Sequence, residues 1–159
     1  MRTGAIPMNK VKRFRRALGA RWRNVLDIGL LTGWRISDIL GLRPEDIGRG
    51  GVTSMTARKT GKVAQATFPV ALVRRLRAHS GQFWLFPSPA DPSHPLSRQS
   101  AYKAFKKASQ LAGVTQISPH SMRKTYARAM REAGHTVQEI QAALQHNNPA
   151  VTLLYLMDF

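Results

Sequence analysis

The sequence predicts an α+β fold, mainly α-helical, with one small antiparallel β-hairpin that carries a lysine. Three observations lead there. Apolar residues recur at helical spacing along most of the chain. Two stretches with several β-branched residues, Val52 to Ala57 and Val63 to Phe68, flank a glycine-containing turn. The chain has 159 residues and 43% hydrophobic content, enough for one domain with its own core and too much for wholesale disorder.

Residues 1–8 read as a loose lead-in to a single domain spanning 1–159. A helix from Asn9 places Val11, Phe14 and Leu18 on one face, with Lys12, Arg13, Arg15 and Arg16 on the other, and Gly19 ends it. Arg21 to Thr32 is apolar on nearly all sides through Val25, Leu26, Ile28, Leu30 and Leu31, which marks a buried helix stopped by Gly33. Ser37 is placed to cap a short helix through Asp38, Ile39 and Leu40, closed by Gly41. After the hairpin, Pro69 starts a helix with Val73 and Leu76 inward and Arg74, Arg75 and Arg77 outward.

Trp84-Leu85-Phe86 reads as a short strand or an apolar plug, and the four prolines between Pro87 and Pro95 make a loop. Ser97 to Ala112 is helical, with Tyr102 and Phe105 expected inward and Lys103, Lys106 and Lys107 outward. Pro119 opens a helix whose expected core stripe is Met122, Tyr126, Ala129, Met130 and Ala133, ended by Gly134. Val137, Ile140 and Leu144 form the next stripe, His146 lies just past it, and a last short helix from Pro149 to Leu156 carries Tyr155.

Lys and Arg number 25 against 8 Asp and Glu, a net charge of +17 that points to a polyanion, foremost nucleic acid. On charge alone a basic ribosomal-type or architectural protein fits as well. The run Arg13 to Arg16 is either a solvated face or a stripe that tracks a phosphate backbone. The absence of cysteine removes disulfides and thiolate zinc sites and suits a reducing cytoplasm. No secretory signal pattern opens the chain, and its most apolar run, Val25 to Trp34, is too short to span a bilayer and contains Asp27. These features predict a soluble cytoplasmic protein. The few carboxylates are scattered, which disfavours two-metal hydrolysis, and no metal site is expected.

Chemistry concentrates in the last forty residues, where His120, Arg123, His146 and Tyr155 suit a phosphate better than a metal or an acyl group. A guanidinium forks onto two phosphate oxygens, imidazoles add hydrogen bonds, and a phenol oxygen can attack phosphorus. Arg35 sits between two buried segments and needs either a partner, with Asp38 the nearest candidate, or a ligand anion. The hairpin tip, Arg58-Lys59-Thr60-Gly61-Lys62, holds further cations, and Arg58, Lys62 and Lys124 join Arg13 and Arg16 as candidate DNA contacts.

Thr32-Gly33-Trp34-Arg35 with Asp38, Lys59-Thr60-Gly61 in a hairpin, His120-x-x-Arg123, and Leu144-Gln145-His146 followed nine residues on by Tyr155 resemble the tyrosine recombinases, the phage integrase family. The match runs from about Val25 to the C-terminus and implies that family's catalytic-domain fold. By the resemblance, Arg35 and Arg123 clamp one DNA phosphate, Tyr155 forms a 3′-phosphotyrosyl bond, and His120 assists as base. Lys59, favoured over Lys62 by its Lys-Thr-Gly context, protonates the leaving 5′ oxygen. His146 donates to the phosphate and Asp38 orients the cations. It also implies strand cleavage and rejoining without metal or nucleotide cofactor, double-stranded DNA as partner, and a tetrameric synapse, with accessory proteins as further partners. The expected setting is bacterial, archaeal or phage-encoded.

The sequence departs from the pattern at Gln145, where glycine is common. The family's usual N-terminal DNA-binding domain is expected to be absent, so the chain reads as a catalytic-domain fragment or a minimal recombinase. A non-catalytic DNA-binding regulator on the same fold and a type IB topoisomerase-like enzyme are the alternatives.

Overall fold

The computed structural model describes residues 3–157. Eight α-helices and one β-hairpin follow in order: α1 (Val11–Ala17), α2 (Ala20–Thr32), α3 (Ile36–Leu40), β1 (Val52–Thr56), β2 (Val63–Thr67), α4 (Val70–His79), α5 (Arg98–Ala112), α6 (Ser121–Glu132), α7 (Val137–Ala143) and α8 (Pro149–Met157). Helix α2 is the hub and packs on α3, α4 and α6. It buries Val25, Leu26 and Ile28 as its apolar pattern predicts, although Leu31 is exposed. Gly29 permits the approach of α6: a Cβ there would stand 2.4 Å from Met122 Sδ.

The lead-in is not loose where it is described. Gly4 N donates to Gln116 O (3.0 Å) and Ile6 N to Thr125 Oγ1 (2.8 Å), while the Ile6 side chain is fully buried. Met8–Lys10 then forms a 3-10 turn leading into α1, whose Phe14 meets Phe105 of α5 edge-on at 5.4 Å between centroids. Met1 and Arg2 lie outside the described residues.

Two cations expected on open faces are drawn into structure. Asp27 of α2 accepts from Arg15 (2.7 and 2.8 Å) and from Arg75 (2.7 Å), and Arg75 also donates to Asn24 Oδ1 (3.1 Å). The hydrogen bond to Asp27 raises the Arg15 pKa further. One carboxylate thus ties α1 and α4 to α2, and both guanidiniums are ion-paired to Asp27 in this arrangement.

Helix α3 begins two residues earlier than a Ser37 cap requires. Arg35 is its N-cap residue, and the Arg35 carbonyl accepts from Asp38 N (2.9 Å) and Ile39 N (3.0 Å). The hairpin pairs Val52 with Thr67 and Thr56 with Val63. Ala57 and Phe68, expected as strand ends, leave the ladder and enter the core. Ala57 N donates to Lys62 O (2.8 Å) and Gly61 N to Ala57 O (2.7 Å), which holds the loop that carries Lys59.

Leu85 and Phe86 form a buried plug rather than a strand, tied by Leu85 N to Leu42 O (2.9 Å). In α5 the inward stripe is Ala101, Phe105, Ala108 and Ala112, so Tyr102 faces out and is 51% exposed. It stands one position off that stripe, about 100° around the helix. The stripe of α6 also differs from expectation. Its first half is enclosed through Met122, Arg123, Lys124, Thr125 and Ala127, whereas Ala129 and Ala133 are exposed where the helix emerges from the core.

Ala127, Ile140, Leu144, Tyr155 and Leu156 make a second apolar cluster between α6, α7 and α8, with Tyr126, Met130 and Val137 packed on it. Thr136 and Glu139 form a reciprocal capping box that starts α7. No helix among the described residues is long and apolar enough to cross a membrane.

Candidate active site

Four of the six predicted catalytic residues stand where a backbone element ends or turns, and Arg123 and Tyr155 lie on helices. Arg35 lies at the α2–α3 junction and Lys59 in the hairpin turn. His120 is the N-cap residue of α6, and Arg123 is three positions on. His146 follows α7, and Tyr155 lies on α8. Arg35, Lys59, His146 and Tyr155 line one cavity of about 240 Å³, together with Thr60, Gln145, Asn147, Asn148 and Val151. A wider opening of about 760 Å³ shares Arg35 and Lys59 and adds Arg58 and Arg98. Arg98 was not singled out by sequence; its signal is the Ser97 N-cap, which puts residue 98 at the mouth of α5.

Arg123 is almost fully buried and fixed by backbone. Its Nη1 donates to Gly33 O (2.5 Å) and its Nη2 to Leu144 O (2.7 Å). Nη2 also meets His146 Nε2 at 3.1 Å. A guanidinium only donates, so Nε2 is the acceptor and a neutral His146 carries its proton on Nδ1. That nitrogen lies 2.9 Å from Thr152 Oγ1. Burial lowers the Arg123 pKa, and the Tyr155 phenol and the Asp38 carboxylate oppose that fall.

The Tyr155 hydroxyl makes a hydrogen bond with His120 Nε2, and the charge of Arg123 acts on the same phenol. Both imidazoles stand edge-on to its ring, at 5.2 Å for His120 and 4.9 Å for His146 between centroids. Burial raises the Tyr155 pKa, while Arg123 and Arg35 pull it back. Desolvation beside the phenol, then the charges of Arg123, Lys124 and Arg35, lower His120 to about 4. Burial, followed by Arg123, Arg35, His120 and Lys59, lowers His146 to about 4. At neutral pH both imidazoles are therefore uncharged, and His120 offers the phenol a lone pair.

Asp38 sends its hydrogen bond to the hairpin: Oδ1 accepts from Arg58 N at 3.0 Å, and the buried Oδ2 has no hydrogen-bond partner. The carboxylate thus anchors the Lys59 turn, rather than forming the Arg35 salt bridge considered from sequence. Lys62 donates to Asn147 Oδ1 (3.4 Å), linking that turn to the loop after His146. Arg13, Arg16 and Arg58 are exposed, as a DNA contact requires. Lys124 is not: it is 7% exposed, with its Nζ 5.6 Å from the centre of the Tyr155 ring. It is the residue after Arg123, on the turn of α6 that α8 covers.

Gln145 has φ of +53°, the left-handed region that glycine favours, so the tight turn before His146 is kept without glycine. The cavity is cationic on several sides, has a phenol at its edge, and suits a tetrahedral anion.

The fold is that of solved recombinases. XerA recombinase superposes with a TM-score of 0.80 at 18% identity, over 97% of this chain and 58% of that one. A lambda integrase dimer bound to a COC′ core site gives 0.76 at 17% identity, over 98% and 59%. In sequence, the probable integrase/recombinase YoeC of Bacillus subtilis is 27% identical over 132 residues, covering 80% of this chain and 72% of its own. Tyrosine recombinase XerD of Mycobacterium tuberculosis is 30% identical over 156 residues, covering 88% of this chain and 49% of its own. The chain thus spans about half the length of XerD. The model of the phage integrase family matches residues 8–158, and the chain belongs to that family, the tyrosine recombinases.

Proposed function

We propose that this chain is the catalytic domain of a site-specific DNA recombinase that cleaves and rejoins strands through a 3′-phosphotyrosyl intermediate. One observation carries the reading: the Tyr155 hydroxyl is hydrogen-bonded to His120 Nε2, under the charge of Arg123, at the edge of a cavity lined by Arg35, Lys59 and His146. Membership of the family and the fold shared with DNA-bound relatives support it.

The scissile phosphate enters beside Arg123. The two carbonyl bonds hold that guanidinium still, and a phosphate oxygen replaces His146 Nε2 as the acceptor of the second Nη2 hydrogen. Arg35 takes the other non-bridging oxygen. Both charges are in place before the reaction, so stabilising the growing negative charge needs little reorganisation. Tyr155 Oη attacks phosphorus while its proton passes to His120 Nε2. The phosphorus–O5′ bond breaks, and Lys59 gives its proton to the leaving oxygen. A 5′ hydroxyl from another strand reverses these steps and restores Tyr155.

The resting pKa values oppose proton transfer from phenol to imidazole. Arriving phosphate offsets the field of Arg35 and Arg123, which raises His120, and the forming phosphorus–oxygen bond makes the phenol more acidic. Proton transfer therefore accompanies attack. The partners follow from the reading: double-stranded DNA, further copies of the chain on it, and the rest of a longer recombinase or accessory proteins. The setting is the cytoplasm of a bacterium or archaeon, with the chain host- or phage-encoded.

The test is covalent capture. Wild-type protein is incubated with a pool of nicked duplexes of varied sequence, denatured, and resolved for a protein–DNA band, with Tyr155→Phe beside it. A band from wild type alone is expected, with salt-dependent binding kept by the variant. A band from the phenylalanine variant moves the nucleophile elsewhere. Binding without any band favours a non-catalytic regulator, and plasmid relaxation without strand exchange favours a topoisomerase.

A further inference from the structure

His146 faces a conflict. In the free protein its Nε2 accepts from Arg123, so its proton is on Nδ1. To donate to a phosphate at the same place it must carry a proton on Nε2. Becoming a cation satisfies this but is opposed first by burial, which an arriving phosphate does not relieve as it relieves the charges of Arg123, Arg35 and Lys59. The other route is the second neutral tautomer, which turns Nδ1 from donor into acceptor. Its neighbour must then reverse role as well.

Among the described residues the hydrogen-bond partner of Nδ1 is Thr152 Oγ1, at 2.9 Å, and Thr152 is fully buried. A hydroxyl accepts and donates with equal ease. Thr152 lies three residues before Tyr155, so the two share neighbouring faces of α8. The same bond therefore fixes the imidazole and sets the register of the helix that carries the phenol.

We propose that the Thr152 hydroxyl is a positioning group for His146 that reverses its hydrogen bond when DNA binds. Without phosphate, Nδ1–H donates to Oγ1 and Nε2 accepts from Arg123. With phosphate, Oγ1–H donates to Nδ1 and Nε2–H donates to the phosphate oxygen. One proton leaves Nδ1 and one arrives at Nε2 by exchange with water, so the imidazole stays neutral throughout. This inference rests on the recombinase reading and on the phosphate hydrogen bond that the family resemblance implies for His146.

Two substitutions separate hydroxyl from shape. Thr152→Val keeps the branch and removes the hydroxyl; Thr152→Ser keeps the hydroxyl. Imidazole nitrogen NMR of the full chain reports the His146 tautomer. Wild type and both variants should show Nδ1–H in the free state, where Arg123 occupies Nε2. On nicked duplex, wild type and the serine variant should change to Nε2–H, and the valine variant, with no hydroxyl to donate to Nδ1, should keep Nδ1–H. In single-turnover capture on nicked duplex, valine should slow adduct formation about tenfold or more with DNA affinity within about twofold, and serine should stay within about threefold of wild type. Thr152→Ala serves if the valine variant does not fold.

Valine cleaving at the wild-type rate and changing tautomer on DNA as wild type does overturns the proposal, as does serine failing as badly as valine. If wild type forms no adduct on any duplex, the recombinase reading fails on its own account. The nitrogen spectra still decide whether Thr152 sets the tautomer.

Discussion

The Arg123 guanidinium donates to the carbonyl of Gly33 at 2.5 Å, across ninety residues of sequence. Gly33 ends α2 with φ of +67°, and a Cβ there would stand 2.4 Å from Tyr126 Cδ1 and 2.9 Å from Leu144 Cδ2. The left-handed turn therefore does two things: it aims a carbonyl at Arg123, and it admits the second apolar cluster. Gly33→Ala should destabilise the fold by about 2–4 kcal/mol, from left-handed strain together with overpacking. Gly61→Ala is the control, because Gly61 has φ of +68° but nothing within 4 Å of its Cβ. It should cost only about 1–2 kcal/mol. Urea midpoints compare the two, and equal losses would show that the Tyr126 contact yields freely.

The two depressed imidazoles predict an acid-sensitive fold. His146 drops from 6.5 to about 4, so the unfolded chain binds more protons than the folded one between those values. Stability should be complete above about pH 6.5 and fall as the pH drops towards about 4. For His146, which is 9% exposed, the full loss is about 3 kcal/mol. His120 shifts in the same direction, but its solvent-facing side makes its share smaller. Denaturation midpoints at several pH values should fall across this window in wild type and flatten in His146→Gln. An unchanged slope in the variant would assign the acid sensitivity to other groups.

Lys59 and Lys62 share one hairpin, and the geometry separates them. Lys59 lines the cavity with Tyr155, whereas Lys62 donates to Asn147 Oδ1. If Lys59 protonates the leaving oxygen, Lys59→Ala should slow adduct formation about 10²-fold or more. A substrate with sulfur in place of the 5′ bridging oxygen leaves without a proton and should recover most of that loss. Lys62→Ala should show a smaller defect that sulfur does not repair. Recovery of the Lys62 variant instead would exchange the two roles.

The site was legible in sequence where its chemistry lies in side chains at fixed spacing. His120 and Arg123, three apart, both reach Tyr155, and the apolar stripes placed most of the helices. Contacts to backbone were not legible. The Gly33 and Leu144 carbonyls that hold Arg123 leave no mark on residue type, because any residue supplies a carbonyl. Arg15 and Arg75 look like surface charge until the fold brings Asp27 between them. Lys124 reads as a DNA contact by charge, and only the docking of α8 encloses it beside Tyr155. Tyr102 was misplaced because one step around a helix exchanges core for solvent.

Gln145 offers a last test, because it occupies a backbone state made for glycine immediately before His146. Its φ is +53°, and its amide donates to Ala142 O at 3.0 Å. The left-handed state costs a side-chain-bearing residue about 1–2 kcal/mol, while glycine loses about 0.5–1 kcal/mol more chain entropy on folding. Gln145→Gly should thus leave stability unchanged or raise it by up to about 1 kcal/mol, with His146 still facing Arg123. Gln145→Val, branched at Cβ, should resist the left-handed state more strongly and lower the urea midpoint. It should also slow adduct formation, because a relaxed turn carries the imidazole away from Arg123. Valine matching glycine in both measurements would mean that the bonds Arg123 makes to His146 and to the Leu144 carbonyl, rather than the Gln145 backbone, hold this turn in place.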